Sequence, residues 1–143
     1  MKINLIDIYA IDTGALIELC THSIMGDRLR DILKNGEIIA YTHEIALTEL
    51  SYILCRKIGW ENAKRAVDSL LLSGYINIYD VSNLIEETSK IKCERPIALS
   101  DCLTLALAKE MKAKALFATR ENEILREMNR KPFETDIEFL IDQ

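Results

Sequence analysis

A three-layer α/β/α fold around a mostly parallel sheet of four to five strands is what the sequence predicts, in a single domain over residues 1–143. Three observations carry that prediction. Short apolar runs rich in β-branched residues alternate with longer runs of helical spacing, a rhythm that needs crossover connections and therefore parallel strands. The turns between them hold glycine, asparagine or serine, the residues that end helices and open strands. One helix near the carboxyl end is apolar on nearly every side, as a helix lying centrally on a sheet would be.

The first strand is the run Leu5 to Ile11, broken only by Asp7. Asp12 follows it, Thr13-Gly14 reads as a turn, and Ala15 to Cys20 reads as a short helix. Ser23 caps a second helix, Ile24 to Lys34, which Asn35-Gly36 ends. Glu37 to Tyr41 is the second strand. Thr42 is the expected N-cap of the next helix, Ile45 to Lys57, closed by Gly59. A helix from Trp60 or Glu61 to Leu72 stops at Ser73-Gly74, and Tyr75 to Tyr79 is the third strand.

Asp80 or Ser82 opens a helix that runs to about Ile91. Cys93 to Leu99, with Pro96, is a connection. Ser100-Asp101 then introduces the strongly apolar helix, Cys102 to Met111. Ala115 to Ala118 is the fourth strand, Glu121 to Asn129 a helix that Pro132 ends, and Thr135 to Leu140 a last edge strand.

With 143 residues and 49% hydrophobic content the chain can bury one sizeable core and not comfortably two. The four cysteines, Cys20, Cys55, Cys93 and Cys102, lack Cys-x-x-Cys spacing, so they read as reduced, buried small hydrophobes. Asp7 and Asp12, inside what a signal peptide needs as an unbroken apolar region, argue against one, no stretch is long enough to span a membrane, and a cytoplasmic location is expected. A net charge of -5 argues against a nucleic-acid partner on average. Acids sequestered around divalent cations would lift that balance and leave the Lys/Arg clusters to act: Arg28/Arg30, Arg56/Lys57, Lys64/Arg65, Lys90/Lys92/Arg95 and Arg126/Arg130/Lys131.

Five acids stand where solvated charges are not expected. Asp12 ends a buried strand, where an α/β sheet collects ligands, although taken alone it reads first as a helix cap. Glu49 lies one turn after Ile45 and one before Ile53, on the apolar stripe of its helix. Asp101 shares a face with Leu105 and Ala108, and Glu121 and Glu123 sit in the first turn after the fourth strand. Clustered carboxylates repel one another unless a hard cation neutralises them, which favours Mg²⁺ or Mn²⁺. The two histidines, His22 and His43, lack ligand spacing and read as surface residues.

Taken in order, Ile11-Asp12-Thr13, Thr48-Glu49-Leu50, Leu99 to Ala106 and Phe117-Ala118-Thr119-Arg120-Glu121 resemble the PIN-domain ribonucleases, especially the small VapC-like toxins of toxin-antitoxin pairs. The resemblance covers nearly the whole chain. It implies Mg²⁺- or Mn²⁺-dependent hydrolysis of RNA phosphodiester bonds, a homodimer and an antitoxin partner. It maps Asp12, Glu49 and Asp101 onto the family's three central acids, and Glu121 onto a fourth that is commonly aspartate. Thr13 and Thr119 become positioning residues, Thr119 as the hydroxyl of the Thr-x-Asp motif. Gly14 stands where the family often has a hydroxyl or amide. The alternatives are a housekeeping PIN nuclease without an antitoxin, and an inactive PIN-like module that binds RNA or protein.

Overall fold

The computed structural model describes residues 6–119 and 122–141. Its elements run β1 (Asp7–Ile11), α1 (Thr13–Cys20), α2 (Ile24–Lys34), β2 (Ile38–His43), α3 (Glu44–Ile58), α4 (Trp60–Ser73) and β3 (Ile76–Tyr79). A 3-10 turn (Val81–Leu84) then leads to α5 (Ile85–Glu94), α6 (Leu99–Glu110), β4 (Lys114–Thr119), α7 (Asn122–Arg130) and β5 (Ile137–Ile141). The strands form one sheet in the order β3-β2-β1-β4-β5. Every pairing in it is parallel.

Two apolar cores, one on each face, follow from the two-residue period of a strand. Ile11 of β1 and Leu116 of β4 face a layer built by Leu16, Leu19, Leu29, Leu50, Leu54 and Leu70 from α1 to α4. Their neighbours Ala10, Ala115 and Phe117 point the other way, onto α6. That helix is buried continuously from Cys102 to Ala108, as its all-round apolar sequence requires. It packs across β1, β2 and β4.

The topology fixes where a ligand can bind. From β1 the chain moves outward to β2 and β3, then crosses the other face through α5 and α6 to enter β4 on the far side of β1. The direction of winding therefore reverses between β1 and β4. In such sheets the crevice opens at the carboxyl ends of the strands on either side of the reversal. Here those ends are Ile11-Asp12 and Ala118-Thr119.

Several local expectations need correction. Thr42 is not the cap of α3: it remains in β2, paired with Ile78 of β3, and its hydroxyl donates to the Ile11 carbonyl at 2.9 Å. His43 is the cap instead, its Nδ1 accepting from the Ala46 N–H at 3.1 Å. His43 is therefore fully buried rather than on the surface, whereas His22 is exposed as expected. Helix α1 begins at Thr13 without an intervening turn. Cys93 is exposed, and only Cys102 of the four thiols is buried.

Candidate functional site

The backbone around Asp12 is held from both sides before its side chain does anything. Its own N–H donates to the Leu116 carbonyl of β4 at 3.0 Å, while Thr42 of β2 holds the preceding carbonyl. Asp12 itself caps α1, with Oδ1 accepting from the Ala15 N–H at 2.9 Å. The capping reading is therefore correct, and the positive end of the α1 dipole also favours the anion there. The residue is 8% exposed.

Thr13 joins this group to a second acid. Its Oγ1 donates to Glu49 Oε1 at 2.9 Å, so the side chain of Glu49 reaches from α3 to the first residue of α1. The buried stripe of α3 is Ala46, Leu50 and Leu54, with Ile45 38% exposed. Glu49 thus borders the buried face rather than sitting on its crest, and it is half-buried. The Arg56 guanidinium, two turns further along α3, lies over the Tyr52 ring.

Asp101 is half-buried in the first turn of α6. Since α6 leads into a strand parallel to the others, its amino end lies at the carboxyl end of the sheet, the same end as Asp12. Thr119 is exposed at the tip of β4, one residue past Ala118. Glu121 lies outside the described residues, and Glu123 is exposed in the first turn of α7.

Gly14 has a steric reason to be glycine. A Cβ there would stand 2.9 Å from the Ala118 Cβ and 3.4 Å from Asp12 Oδ2. The close approach of α1 to β4 leaves no room for the hydroxyl or amide side chain that the resemblance suggests at this position.

His43 is the residue that pattern reading misses. It sits between α3, whose first turn it caps, and α6, where Nε2 lies 3.2 Å from Thr104 Oγ1. Because Nδ1 accepts from an amide, the ring proton is on Nε2, which donates to the threonine oxygen. Thr104 Oγ1 in turn donates to the Ser100 carbonyl at 3.2 Å. Burial lowers the imidazole pKa to about 4, against the opposing pull of Glu49 and the Ser100 backbone. The ring is therefore neutral at pH 7. Its only sequence signal was its place just before Glu44, where an acceptor side chain is needed to open a helix.

Carboxylate oxygens are donors that suit a hard cation. Asp12, Glu49 and Asp101 offer carboxylate oxygens, while both nitrogens of the buried imidazole are already used, so Mg²⁺ or Mn²⁺ fits the donors better than zinc. Among the described residues no three Asp, Glu, His or Cys side chains stand close enough to grip an ion as they are placed. Of the basic clusters, several members are spent on internal contacts. Arg30 donates to the Leu19 carbonyl, Arg95 to the Lys131 and Pro132 carbonyls, and Arg130 chelates the buried Glu127.

Comparison with known proteins agrees with this architecture. The PIN domain profile matches residues 9–131, and the chain belongs to that family. Its fold is similar to that of a DNA-bound VapBC complex from Salmonella typhimurium, at 18% identity and a TM-score of 0.70 over 96% of this chain and 100% of the other. It is also similar to VapBC2 from Rickettsia felis bound to a promoter DNA fragment, at 20% identity and a TM-score of 0.64 over 92% and 98% of the two chains. A third similar structure is the Mycobacterium tuberculosis VapC20 toxin, which cleaves the sarcin-ricin loop, at 18% identity and a TM-score of 0.61 over 76% and 87%. No curated relative matches the chain by sequence.

Proposed function

We propose that the protein is a divalent-metal-dependent endoribonuclease, the toxin of a toxin-antitoxin pair. The observation that carries this reading is the Thr13–Glu49 hydrogen bond. It ties the Glu49 carboxylate to Thr13, the residue that follows Asp12 at the reversal of the sheet, in a chain of the PIN family. VapBC complexes and a sarcin-ricin-loop-cleaving toxin among the similar folds support the substrate and partner classes. Mg²⁺ or Mn²⁺ is the cofactor, RNA the substrate, an antitoxin the regulator and the cytoplasm the expected compartment. No helix of the described residues is long and apolar enough to cross a membrane.

In this reading Asp12, Glu49 and Asp101 hold the cation, and Glu121 completes the set. When bound, such a cation lowers the pKa of a water and takes up charge on the phosphoryl oxygen. Asp12 contributes an anchored carboxylate, fixed by the cap and by its strand neighbours. Thr13 fixes the rotamer of Glu49. Thr119, at the rim, positions a phosphate oxygen by hydrogen bonding.

Homodimerisation belongs to the same proposal. It is supported by exposed apolar side chains along α3 and α4, among them Tyr52, Ile58, Trp60 and Leu72. The test of function is cleavage of RNA in Mn²⁺ against a chelator, with purified protein. Chelator-sensitive cleavage that Asp12→Asn and Asp101→Asn abolish supports it. Metal-independent cleavage, or full activity in either variant, overturns the mechanism. A folded protein that binds RNA without cutting it points instead to the inactive binding module, and failure to capture a small partner protein on co-expression favours the housekeeping nuclease.

A further inference from the structure

Glu49 and Asp101 are borne by different helices, packed on opposite faces of the sheet, and neither helix is connected to the other in sequence except through β3 and its flanking elements. Something must set the spacing between them at the sheet's carboxyl end. His43 is fully buried between the two helix starts. Its Nδ1 accepts from Ala46 in the first turn of α3, one turn before Glu49. Its Nε2–H donates to Thr104, and the Thr104 hydroxyl passes the hydrogen bond on to Ser100, the residue before Asp101. The Ser100 backbone and the Glu49 charge are both felt by the ring.

We infer that His43 is a positioning residue that sets the distance between the Glu49 and Asp101 carboxylates, and so governs cation affinity without being a ligand. This rests on the cation-binding reading proposed above. The imidazole is suited to the task because it is planar and has two polar atoms on opposite edges. With Nδ1 committed as acceptor and Nε2 as donor, it is a rigid strut of one tautomer. Serine or asparagine could satisfy the cap on α3, but neither spans to α6. Thr104 is the matching half: it is fully buried, and its hydroxyl is the acceptor that the strut requires.

The experiment is Mn²⁺ affinity, measured by electron paramagnetic resonance of the free ion at pH 7.5. The proteins are the full chain and its His43→Asn, Thr104→Val and Thr104→Ser variants, together with the His43→Asn/Thr104→Val double variant. Asparagine keeps the cap and loses the span; valine keeps the shape and loses the hydroxyl. The expected result is about tenfold weaker binding in His43→Asn and in Thr104→Val, the scale on which groups behind metal ligands act. The double variant is expected to be no weaker than either, because both changes cut one link. Thr104→Ser, which restores the hydroxyl, should restore affinity. Wild-type affinity in folded His43→Asn and Thr104→Val overturns the inference alone, as does a Thr104→Ser variant as weak as Thr104→Val. No Mn²⁺ binding by the unaltered protein overturns the cation reading and this inference with it.

Discussion

The hydroxyl of Thr13 donates to the carboxylate of Glu49 at 2.9 Å, joining the first residue of one helix to the middle of another. The bond is made at the one place in the sheet where the winding reverses, next to Asp12. Removing it with Thr13→Val keeps the shape and leaves Glu49 unheld. Stability should fall by about 1 kcal/mol, as for an ordinary hydrogen bond, seen as a lower urea midpoint. RNA cleavage should fall more than this, because Glu49 then samples several rotamers. Equal activity with lower stability would make the bond purely structural.

Asp12 has two roles that substitution can separate. Asparagine caps a helix about as well as aspartate, so Asp12→Asn should change stability by less than about 0.5 kcal/mol. Asp12→Ala removes the cap and should cost about 1 kcal/mol. Both should lose cleavage by about a hundredfold or more, the scale for removing one electrostatic group from a reaction centre. Chemical denaturation beside an RNA cleavage assay tests the pair, and an active, stable Asp12→Asn protein would leave only the capping role.

The contact at Gly14 makes a packing prediction. Gly14→Ser drives a side chain into the Ala118 Cβ, 2.9 Å from where its own Cβ must lie. Overpacking of this kind costs about 1–3 kcal/mol. Adding Ala118→Gly should recover part of the loss on thermal unfolding. A stable Gly14→Ser single variant would mean that α1 can move away from β4.

Acid should weaken the fold through His43. Its folded pKa of about 4 lies below the ordinary 6.5, so the unfolded chain takes up a proton that the folded one refuses. The stabilising contribution is complete above pH 6.5 and is lost as pH falls toward 4. Between pH 7 and pH 5 the loss from this group is about 2 kcal/mol, at 1.36 kcal/mol per pH unit below 6.5. His43→Gln does not titrate, so its stability should fall less steeply over that interval. Parallel slopes for the two proteins would contradict the burial of a neutral ring.

How far the sequence reveals this architecture depends on which kind of signal an element carries. The strands and helices are legible because β1 and β4 alternate between two cores and because α6 is apolar all round, both direct consequences of burial. Helix ends at Asn35-Gly36, Gly59 and Gly74 are legible because each of those glycines has a positive φ. The extent of β2 is not: Thr42 has the chemistry of a cap, yet pairing with Ile78 of β3 keeps it in the sheet, and that long-range contact leaves no local mark. His43 is illegible for the same reason. A buried imidazole bonded to a threonine 61 residues away has no sequence period to betray it. The stripe through Ile45, Glu49 and Ile53 that makes Glu49 stand out lies one position out of register with the buried face, Ala46, Leu50 and Leu54.

The central claim is that Asp12, Glu49 and Asp101 gather around a hard cation at the sheet reversal. Anomalous X-ray diffraction from a crystal of the protein soaked in Mn²⁺ tests it most directly. The account predicts a strong peak about 2 Å from carboxylate oxygens of Asp12 and Asp101, within direct or water-mediated reach of Glu49. Ordered density for those three side chains with no peak between them, in a crystal that takes up Mn²⁺ elsewhere, would contradict it.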